Sequence, residues 1–360
     1  MKAAVLKRFG SSLAIEDVAE PALGTGEIII DVAASRVLPY SNEVFSGERQ
    51  YLLDLPVVPG PGAIGRVHAA GPDATHLAPG DWVYCDPTVR SRDNVLAPDI
   101  TLQGLSARGD GGMRLQRYFR DGAWAERMRV PTENALPIGP IEAREAPAWC
   151  AMGTCLVPYG GWVAANLRPG ESALVSGATG NFGSAAVAVA LAMGAAWVVA
   201  PGRNEAMLAD LVRRFGTRVL PVKLTGDETQ DRQRMLAAAP GPIDCVMDIM
   251  PPQVGTATVR AALMTVRQNG RVVLMGGVGM LGGGGLDLPY PWIMRNCITI
   301  HGVWMYPREA IPRMIALVRA GLLDLSQFLV TEFPLARANE AVAHAAANGG
   351  PFRMTVLKPA

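Results

Sequence analysis

The sequence predicts an α/β protein with a mostly-β domain at its N-terminus and a doubly wound parallel sheet after it. Short β-branched, apolar runs bounded by glycine and proline dominate residues 1–135, whereas strand and helix patterns alternate beyond residue 170. At 360 residues the chain also exceeds what one hydrophobic core usually holds. We therefore predict a first domain over residues 1–145, a second over 146–305, and a segment, 306–360, that returns to complete the first.

The predicted strands of the first domain lie between turn segments such as Pro59–Gly62 and Ala78–Asp81. Residues Asp86–Gly122 show no clear periodicity, and a long loop in a compact domain usually has a function or covers something. The expected strands are Met1–Leu6, Glu27–Ala33, Ile64–Ala69, Asp81–Cys85 and Arg127–Val130.

The second domain has the alternation that is typical of a parallel sheet, whose ligands bind at the carboxyl ends of the strands. A helix over Glu142–Ala165, interrupted near Pro158, is expected before it. The predicted strands are Ala173–Val175, Trp197–Ala200, Arg218–Val222, Cys245–Asp248, Arg271–Met275 and Cys297–Trp304, and the predicted helices include Glu205–Phe215, Glu228–Ala239 and Val254–Met264. The returning segment is expected to contain helices Arg308–Ala320 and Ala336–Ala347 and strands Phe328–Phe333 and Thr355–Leu357.

A glycine-punctuated turn joins the first of these strands to an Ala- and Val-rich helix. In a βαβ unit such a turn places the free N–H groups of a helix N-terminus at the end of a strand, where a pyrophosphate can bind. The three glycines serve a tight turn, close approach to phosphate and close helix packing. The alternative is a tight turn that binds nothing. The residues of the turn are Gly177, Ala178, Thr179, Gly180, Asn181, Phe182 and Gly183.

The end of the second strand indicates which dinucleotide would bind. A site that prefers NAD usually has Asp or Glu there, about 20 residues beyond the glycine turn, to accept from the ribose 2′-OH. Here the segment contains Gly202, Arg203 and Asn204 and no acid. Gly202 is expected to leave room for a 2′-phosphate, and the guanidinium of Arg203 can pair with it. We therefore predict NADP(H); the alternative is that Arg203 is a solvated loop cation.

Composition and charge exclude several other classes of function. The formal net charge is +1, so nothing in the charge favours nucleic acid or an anionic membrane as a partner. The longest apolar run, Ser184–Ala200, is short for a membrane span. The N-terminal residues show no signal-peptide pattern, and the five cysteines include no C-x-x-C pair. We expect a cytoplasmic protein with free thiols.

The order of several short motifs resembles the medium-chain dehydrogenase/reductase superfamily over essentially the whole chain. The motifs are Leu55–Gly60, Pro79–Asp81, Gly122–Glu126, Leu167–Glu171, Asn269–Gly276 and Phe352–Leu357. The resemblance implies a GroES-like catalytic domain followed by a Rossmann domain. It also implies that Thr154, Gly276, Gly277 and Val278 approach the nicotinamide and that Arg353 approaches the pyrophosphate.

Many members of this superfamily hold a catalytic zinc ion, and the resemblance indicates where its ligands would lie. Leu38 stands at the first ligand position, Pro61 and Gly62 replace a His-Glu pair, and the third position falls near Gly153. Zinc requires nitrogen, sulfur or oxygen donors, which Leu, Pro and Gly side chains lack. We therefore predict no zinc, and the chain resembles the zinc-free branch of quinone oxidoreductases and enoyl reductases.

Without a metal, hydrogen-bond donors must stabilise the developing oxyanion or enolate, which is then protonated. By resemblance, Tyr40 stands at the position that hydrogen-bonds the substrate oxygen, and Glu43 where many zinc enzymes have a relay histidine. We predict Tyr40 and Glu43 as catalytic residues. The alternative is that Tyr40 packs and Glu43 is a solvated charge.

The expected function is NADPH-dependent hydride transfer to a quinone, an α,β-unsaturated carbonyl or a simple carbonyl. The alternatives are an alcohol dehydrogenase or carbonyl reductase without activated-alkene chemistry, and a dinucleotide-binding protein with little turnover. The expected partner is a small-molecule substrate. By analogy with the superfamily, the strand Cys297–Trp304 is expected to form the edge of a homodimer.

Overall fold

The computed structural model describes residues 1–282 and 284–359 and divides into two compact units. The first unit comprises Met1–Gly153, Leu325–Gly349 and Arg353–Ala360. The second comprises Thr154–Asp324 and Gly350–Phe352. Because the last strands belong to the first unit, the C-terminal segment returns to it.

The first 153 residues form mainly short strands. The elements in chain order are β1 (Lys2–Val5), β2 (Ala14–Asp17), β3 (Glu27–Val37), α1 (Ser41–Ser46), β4 (Ala63–Ala70), β5 (Trp82–Cys85), β6 (Thr88–Arg90), β7 (Ile100–Leu102), β8 (Ser106–Ala107), α2 (Gly109–Tyr118), β9 (Arg127–Pro131), β10 (Ala135–Pro137) and α3 (Ala146–Trp149).

The following residues alternate between helices and strands. The elements are α4 (Ala151–Ala164), β11 (Ser172–Ser176), α5 (Asn181–Ala192), β12 (Trp197–Gly202), α6 (Glu205–Phe215), β13 (Val219–Lys223), α7 (Glu228–Ala238), β14 (Ile243–Asp248), α8 (Thr256–Leu263), β15 (Val266–Leu274), α9 (Tyr290–Arg295), β16 (Thr299–Gly302) and α10 (Ala310–Arg319).

The returning segment completes the main sheet of the first unit. It contains β17 (Leu329–Pro334), α11 (Ala338–Ala347) and β18 (Arg353–Lys358). The strand order is β10-β5-β4-β3-β18-β17, and β9 pairs with β3. Strand β18 thus lies between β3 and β17, antiparallel to the first and parallel to the second. The apolar side chains of β3, β4, β5 and β9 form one buried core of this unit.

The second unit contains a parallel six-stranded sheet in the order β13-β12-β11-β14-β15-β16. Strand β11 is buried along its whole length, and α5 is buried through almost all of its residues. This explains their Ala- and Val-rich composition, because both elements lie in the interior. The chain reverses direction across the sheet between β11 and β14. That switch point marks the usual ligand crevice of an open α/β sheet.

Two expectations about elements were wrong. Asp86–Gly122 is not one long loop, because it contains the antiparallel sheet β6-β7-β8 and helix α2. Helix α4 continues through Pro158. Beyond Pro158 the helix packs closely, because a Cβ on Gly160 would overlap Met305 and Tyr306 and one on Gly161 would overlap Met247 and Met275. Short elements that were not predicted are β2, α1, β10 and α9.

The domain boundaries also lie later than the predicted 145 and 305, at Gly153/Thr154 and Asp324/Leu325. Residues 306–324 join the second unit because the Met305–Tyr306 segment packs on α4 at Gly160. In α10 the residues Ala310, Ile311 and Met314 are buried. None of the described helices is long and apolar enough to cross a membrane.

Candidate cofactor and substrate sites

The glycine turn lies between β11 and α5, as predicted. Gly177 has φ of +96°, a backbone conformation that favours glycine. Gly180 is the N-cap residue of α5, and Asn181 and Phe182 begin the helix. A side chain on Gly183 would overlap the carbonyl oxygen of Gly177, so only glycine allows the helix to fold against the turn. The first N–H groups of a helix have no intrahelical partner, and here they lie at the carboxyl end of β11.

The outer side of the turn is more open than its inner side. A Cβ on Gly180 would approach only the carbonyl oxygen of Gly177, at 3.3 Å. Because the helix N-terminus and this open glycine stand together, the turn fits the pyrophosphate of a dinucleotide. When bound, such a cofactor would supply the hydride, and the turn would only hold and orient it.

Gly202 packs closely against the glycine turn. It ends β12, but the space where its side chain would point is filled by the Thr179 side chain, with Cγ2 at 2.5 Å, and by Leu208. Gly202 therefore packs closely against the turn, and its role in leaving room for a 2′-phosphate stays a prediction. Asn204 caps helix α6, because its Oδ1 accepts a hydrogen bond from the Met207 N–H at 3.2 Å. The Asn204 oxygen is thus occupied within the protein.

Arg203 is exposed, and a second cation, Lys223, lies beside it. Lys223 ends the neighbouring strand β13 in register with Gly202. Its Nζ donates to the carbonyl oxygen of Arg203 at 2.5 Å and lies 3.3 Å from a carboxylate oxygen of Glu205. Lys223 was missed because its position depends on strand register. Glu205, the residue after Asn204, brings an acid close to this pair.

The other predicted glycines lie after β15. A Cβ on Gly276 would overlap the Asp248 carboxylate, and the Gly277 N–H donates to the Met250 carbonyl at 2.8 Å. Val278 packs partly against the core of the sheet. The segment 248–250 also contacts Gly177, through the Met250 sulfur and the Ile249 carbonyl. The loops after β11, β14 and β15 are therefore in direct contact at one edge of the sheet.

Asp248, which ends β14, is a buried acid at this edge. The sequence predicted it at the end of a strand but indicated no role for it. Burial raises the pKa of its carboxyl from 3.8 to about 7, although hydrogen bonds from Ser176 and the Met250 N–H oppose the shift. No charged group contributes to the shift. The sequence signal that could have identified Asp248 is its place as an acid at the end of a predicted parallel strand, where such sheets bind their ligands.

The predicted catalytic pair lies at the start of α1. Burial raises the pKa of the Tyr40 phenol, and a nearby Tyr51, which hydrogen-bonds with it, adds to the shift. The Arg49 guanidinium stacks on the Tyr40 ring, 4.0 Å from its centroid. The same guanidinium donates to Glu43 Oε2 at 2.8 Å. Glu43 is thus neither solvated nor bonded to Tyr40, and the hydrogen-bond partner of the phenol is Tyr51.

The positions of a catalytic zinc ion offer no set of ligands. Leu38 is buried, and Gly62 has φ of +78°, where a Cβ would lie 2.9 Å from the Cys85 carbonyl oxygen and 3.0 Å from Pro87. Cys150 lies three residues before Gly153. Burial raises the pKa of its thiol to about 12, which disfavours the thiolate that binds zinc. Among residues 1–282 and 284–359, no group of three His, Cys, Asp or Glu side chains could hold a metal ion. The residues at these positions therefore do not fit zinc.

The remaining predicted residues lie in different units. Thr154 lies in α4 and is buried, whereas Arg353 is the exposed first residue of β18. Their approach to the nicotinamide and the pyrophosphate stays a prediction.

A parallel sheet with a glycine turn at its switch point, preceded by a β domain, defines the class of nicotinamide-dependent oxidoreductases. Comparison with known families agrees: "Alcohol dehydrogenase GroES-like domain" matches residues 24–140, and "Zinc-binding dehydrogenase" matches residues 182–320. The chain belongs to the medium-chain dehydrogenase/reductase superfamily.

Two curated relatives show the range of activities. An alcohol dehydrogenase of Moraxella sp. (strain TAE123) is 28% identical over 348 residues, with 94% of each chain covered. An acryloyl-coenzyme A reductase of Metallosphaera sedula is 28% identical over 282 residues, with 77% of each covered.

Two solved structures confirm the fold. A putative zinc-binding dehydrogenase of Sinorhizobium meliloti 1021 bound to NADP has a TM-score of 0.80 at 19% identity, with 99% of each chain covered. An alcohol dehydrogenase of E. coli CFT073 in complex with NADH has a TM-score of 0.80 at 17% identity, also with 99% of each covered.

Proposed function

We propose that the protein is a zinc-independent, NADPH-dependent oxidoreductase that transfers hydride to a quinone, an α,β-unsaturated carbonyl or a carbonyl substrate. The observation that carries the proposal is the combination of an intact dinucleotide turn with metal positions that hold Leu38, Pro61 and Gly62. A chain of this superfamily that retains the turn and lacks the ligands must stabilise the substrate oxygen with its own donors.

The preference for NADPH rests on the cations at the ends of β12 and β13. Arg203 follows β12 and Lys223 ends β13, and we infer that the 2′-phosphate binds between their positive charges. The carboxylate of Glu205 pairs with Lys223. A phosphate dianion would gain charge-assisted bonds from both cations. NADH has no 2′-phosphate, so nothing in it would compete with Glu205 for Lys223.

The test is equilibrium binding of NADPH and NADH, measured by nicotinamide fluorescence. We expect Arg203→Ala to raise the Kd for NADPH at least tenfold, since one charge-assisted bond contributes about 1.5–3 kcal/mol, and to leave the Kd for NADH within about twofold. Lys223→Ala should act in the same direction. Arg213→Ala, an exposed cation of α6 that pairs with Asp210, is the matched control. Equal affinity of the wild-type protein for both cofactors would contradict the preference.

The reaction that these residues support is reduction of an electrophilic carbon. Tyr40 is the candidate donor to the substrate oxygen, because its raised pKa keeps the phenol protonated at neutral pH. Its hydrogen bond with Tyr51 provides a route by which the phenol can regain a proton. Glu43, held by Arg49, would orient the guanidinium that stacks on Tyr40.

Loss of NADPH absorbance with a panel of quinones, enones, aldehydes and ketones tests the activity. We expect Tyr40→Phe to lower kcat about 100-fold on the best substrate, within the range for a general acid, while NADPH affinity stays unchanged. Tyr118→Phe, an exposed tyrosine of α2, is the matched control. Full turnover by Tyr40→Phe would exclude Tyr40 as the proton donor.

Two alternatives have specific support. The alcohol dehydrogenases among the relatives favour simple carbonyl or alcohol chemistry, and turnover of aldehydes and ketones without enones or quinones would select it. The missing metal ligands favour a dinucleotide-binding protein with little turnover, which would bind NADPH and oxidise it with no member of the panel. The similarity to an acryloyl-coenzyme A reductase supports instead an activated alkene as the substrate, as in the main proposal.

A further inference from the structure

A buried arginine lies two residues before Leu38, the first of the positions that lack a zinc donor. Arg36 is on β3, opposite Val356 of β18, and only 7% of its surface is exposed. Removing a cation from water costs several kcal/mol unless something compensates. A guanidinium held inside the first unit therefore requires a structural or a functional reason.

The surroundings of Arg36 are shaped to hold its guanidinium. A Cβ on Gly153 would lie 2.9 Å from both Cζ and Nε and 3.2 Å from Nη1. Any side chain at position 153 would displace the group, so glycine at this position and arginine at position 36 are complementary. Arg36 also takes part in an interaction elsewhere in the protein, so a ligand would share its five donors.

The positive charge of Arg36 reaches the candidate substrate residues. It opposes the effect of burial on the pKa of the Tyr40 phenol and on that of the Cys150 thiol. Tyr40 follows Arg36 by four residues, and Cys150 lies three residues before Gly153, against which the guanidinium packs. The cluster thus combines a fixed cation, a protonated phenol and a thiol, around positions where zinc would find no ligands.

We propose that Arg36, together with Tyr40, binds the oxygen of the substrate and stabilises the negative charge that it acquires. The inference rests on the proposed reductase function and names the group that takes the place of a metal. Hydride adds to the substrate carbon, the π electron pair moves onto the oxygen, and the oxygen takes a proton from Tyr40, while NADPH becomes NADP⁺. A desolvated guanidinium stabilises such an oxyanion strongly because it needs no reorganisation.

Benzoate, a flat and stable oxyanion, tests the subsite without turnover. We expect calorimetry to show that benzoate binds the NADP⁺-saturated wild-type protein and that Arg36→Met raises its Kd at least tenfold. Arg66→Met is the matched control, because Arg66 is an exposed cation of the same unit that stacks on Trp82. The assignment is overturned if the wild-type protein binds no benzoate, or if Arg36→Met binds it as tightly.

Two further variants keep the test decisive if Arg36→Met does not fold. Arg36→Lys retains the charge without the planar fork and should raise the benzoate Kd about tenfold. Gly153→Ala should do the same by displacing the guanidinium. Unchanged benzoate affinity in both variants overturns the proposal.

Turnover separates this proposal from the reductase activity itself. On any substrate found in the panel, Arg36→Met should lower kcat/KM about 100-fold or more, as removal of one oxyanion donor does, with the NADPH Kd within about twofold of wild type. Benzoate binding that depends on Arg36, with no turnover of the panel, would retain the subsite and reject the reductase.

Discussion

At the scale of the residue, the sequence allowed prediction of those positions whose role depends on their neighbours in the chain. Gly177 and Gly183 are required by the turn that contains them, and the missing donors at Leu38 and Pro61 follow from residue type alone. Lys223, Asp248 and Arg36 were not found, because each acquires its role from strand register or from burial by distant segments. The contact of Gly202 with Thr179 was not found either, since it arises from folding of the turn onto β12.

The raised pKa of Asp248 predicts how the stability of the protein depends on pH. The ordinary pKa of an aspartate is 3.8, and that of Asp248 in the folded protein is about 7. At a pH between these two values, unfolding therefore releases a proton from Asp248. The free energy of unfolding should therefore fall as pH rises from about 4 to about 7 and then level. Asp248→Asn should remove this contribution and stabilise the protein at pH 8 by up to about 4 kcal/mol, at 1.36 kcal/mol per pKa unit.

Urea unfolding at about pH 5 and pH 8 measures the effect. The control is Asp244→Asn, because the pKa of Asp244 is lowered: burial works against the shift, and hydrogen bonds from Ser172 and Arg267 overcome it. That variant should lose stability at pH 8. An Asp248→Asn protein no more stable than wild type at pH 8 would contradict the assignment.

At the scale of the element, prediction succeeded where a local signal coincided with burial. Helix Glu205–Phe215 has the predicted bounds, because Asn204 caps it and Leu208 and Leu211 form a buried stripe. The region Asp86–Gly122 has no such signal. Its strands have two or three residues, too few for a periodicity, and α2 contains three glycines. Gly111 and Gly112 are required by close packing on Asp99 and on the Ile100 carbonyl, which only the folded chain reveals.

The unit β11–turn–α5 gives a matched pair of glycine variants. Gly183→Ala should destabilise the protein by about 1–3 kcal/mol and weaken NADPH binding, because its Cβ overlaps the Gly177 carbonyl. Gly180→Ala, at φ of −86° and on the open side, should weaken NADPH binding with little loss of stability. Thermal unfolding and NADPH titration separate the two. A Gly183→Ala protein that melts as wild type does would refute the packing argument.

At the scale of the whole molecule, the sequence predicted two domains and a returning C-terminal segment but placed the divisions too early. The boundary at 305 was set by the end of a strand pattern, whereas packing on α4 retains the chain in the second unit until Asp324. Contacts of this kind join residues about 145 positions apart, such as Gly160 and Met305.

We also expect the protein to be a homodimer. Strand β16 ends the parallel sheet, pairing with β15, and α9 beside it exposes Tyr290 and Met294 at 75% and 54%. An open strand edge next to exposed apolar side chains is a surface that a second copy can cover. Light scattering should give the mass of a dimer, and Tyr290→Glu with Met294→Glu should give a monomer. A monomeric wild-type protein would reject this interface.

The position of β18 between β3 and β17 bears on the order in which the protein can fold during synthesis. The six-stranded sheet has all its strands once residue 302 has left the ribosome. The sheet of the first unit instead waits for residues 353–358, although its other central strands are made first. The sheet of the second unit can therefore assemble on the ribosome while β3 still exposes the edge that β18 will occupy. Such an unpaired edge can pair with other chains, so it is the segment of the nascent chain most in need of protection from aggregation.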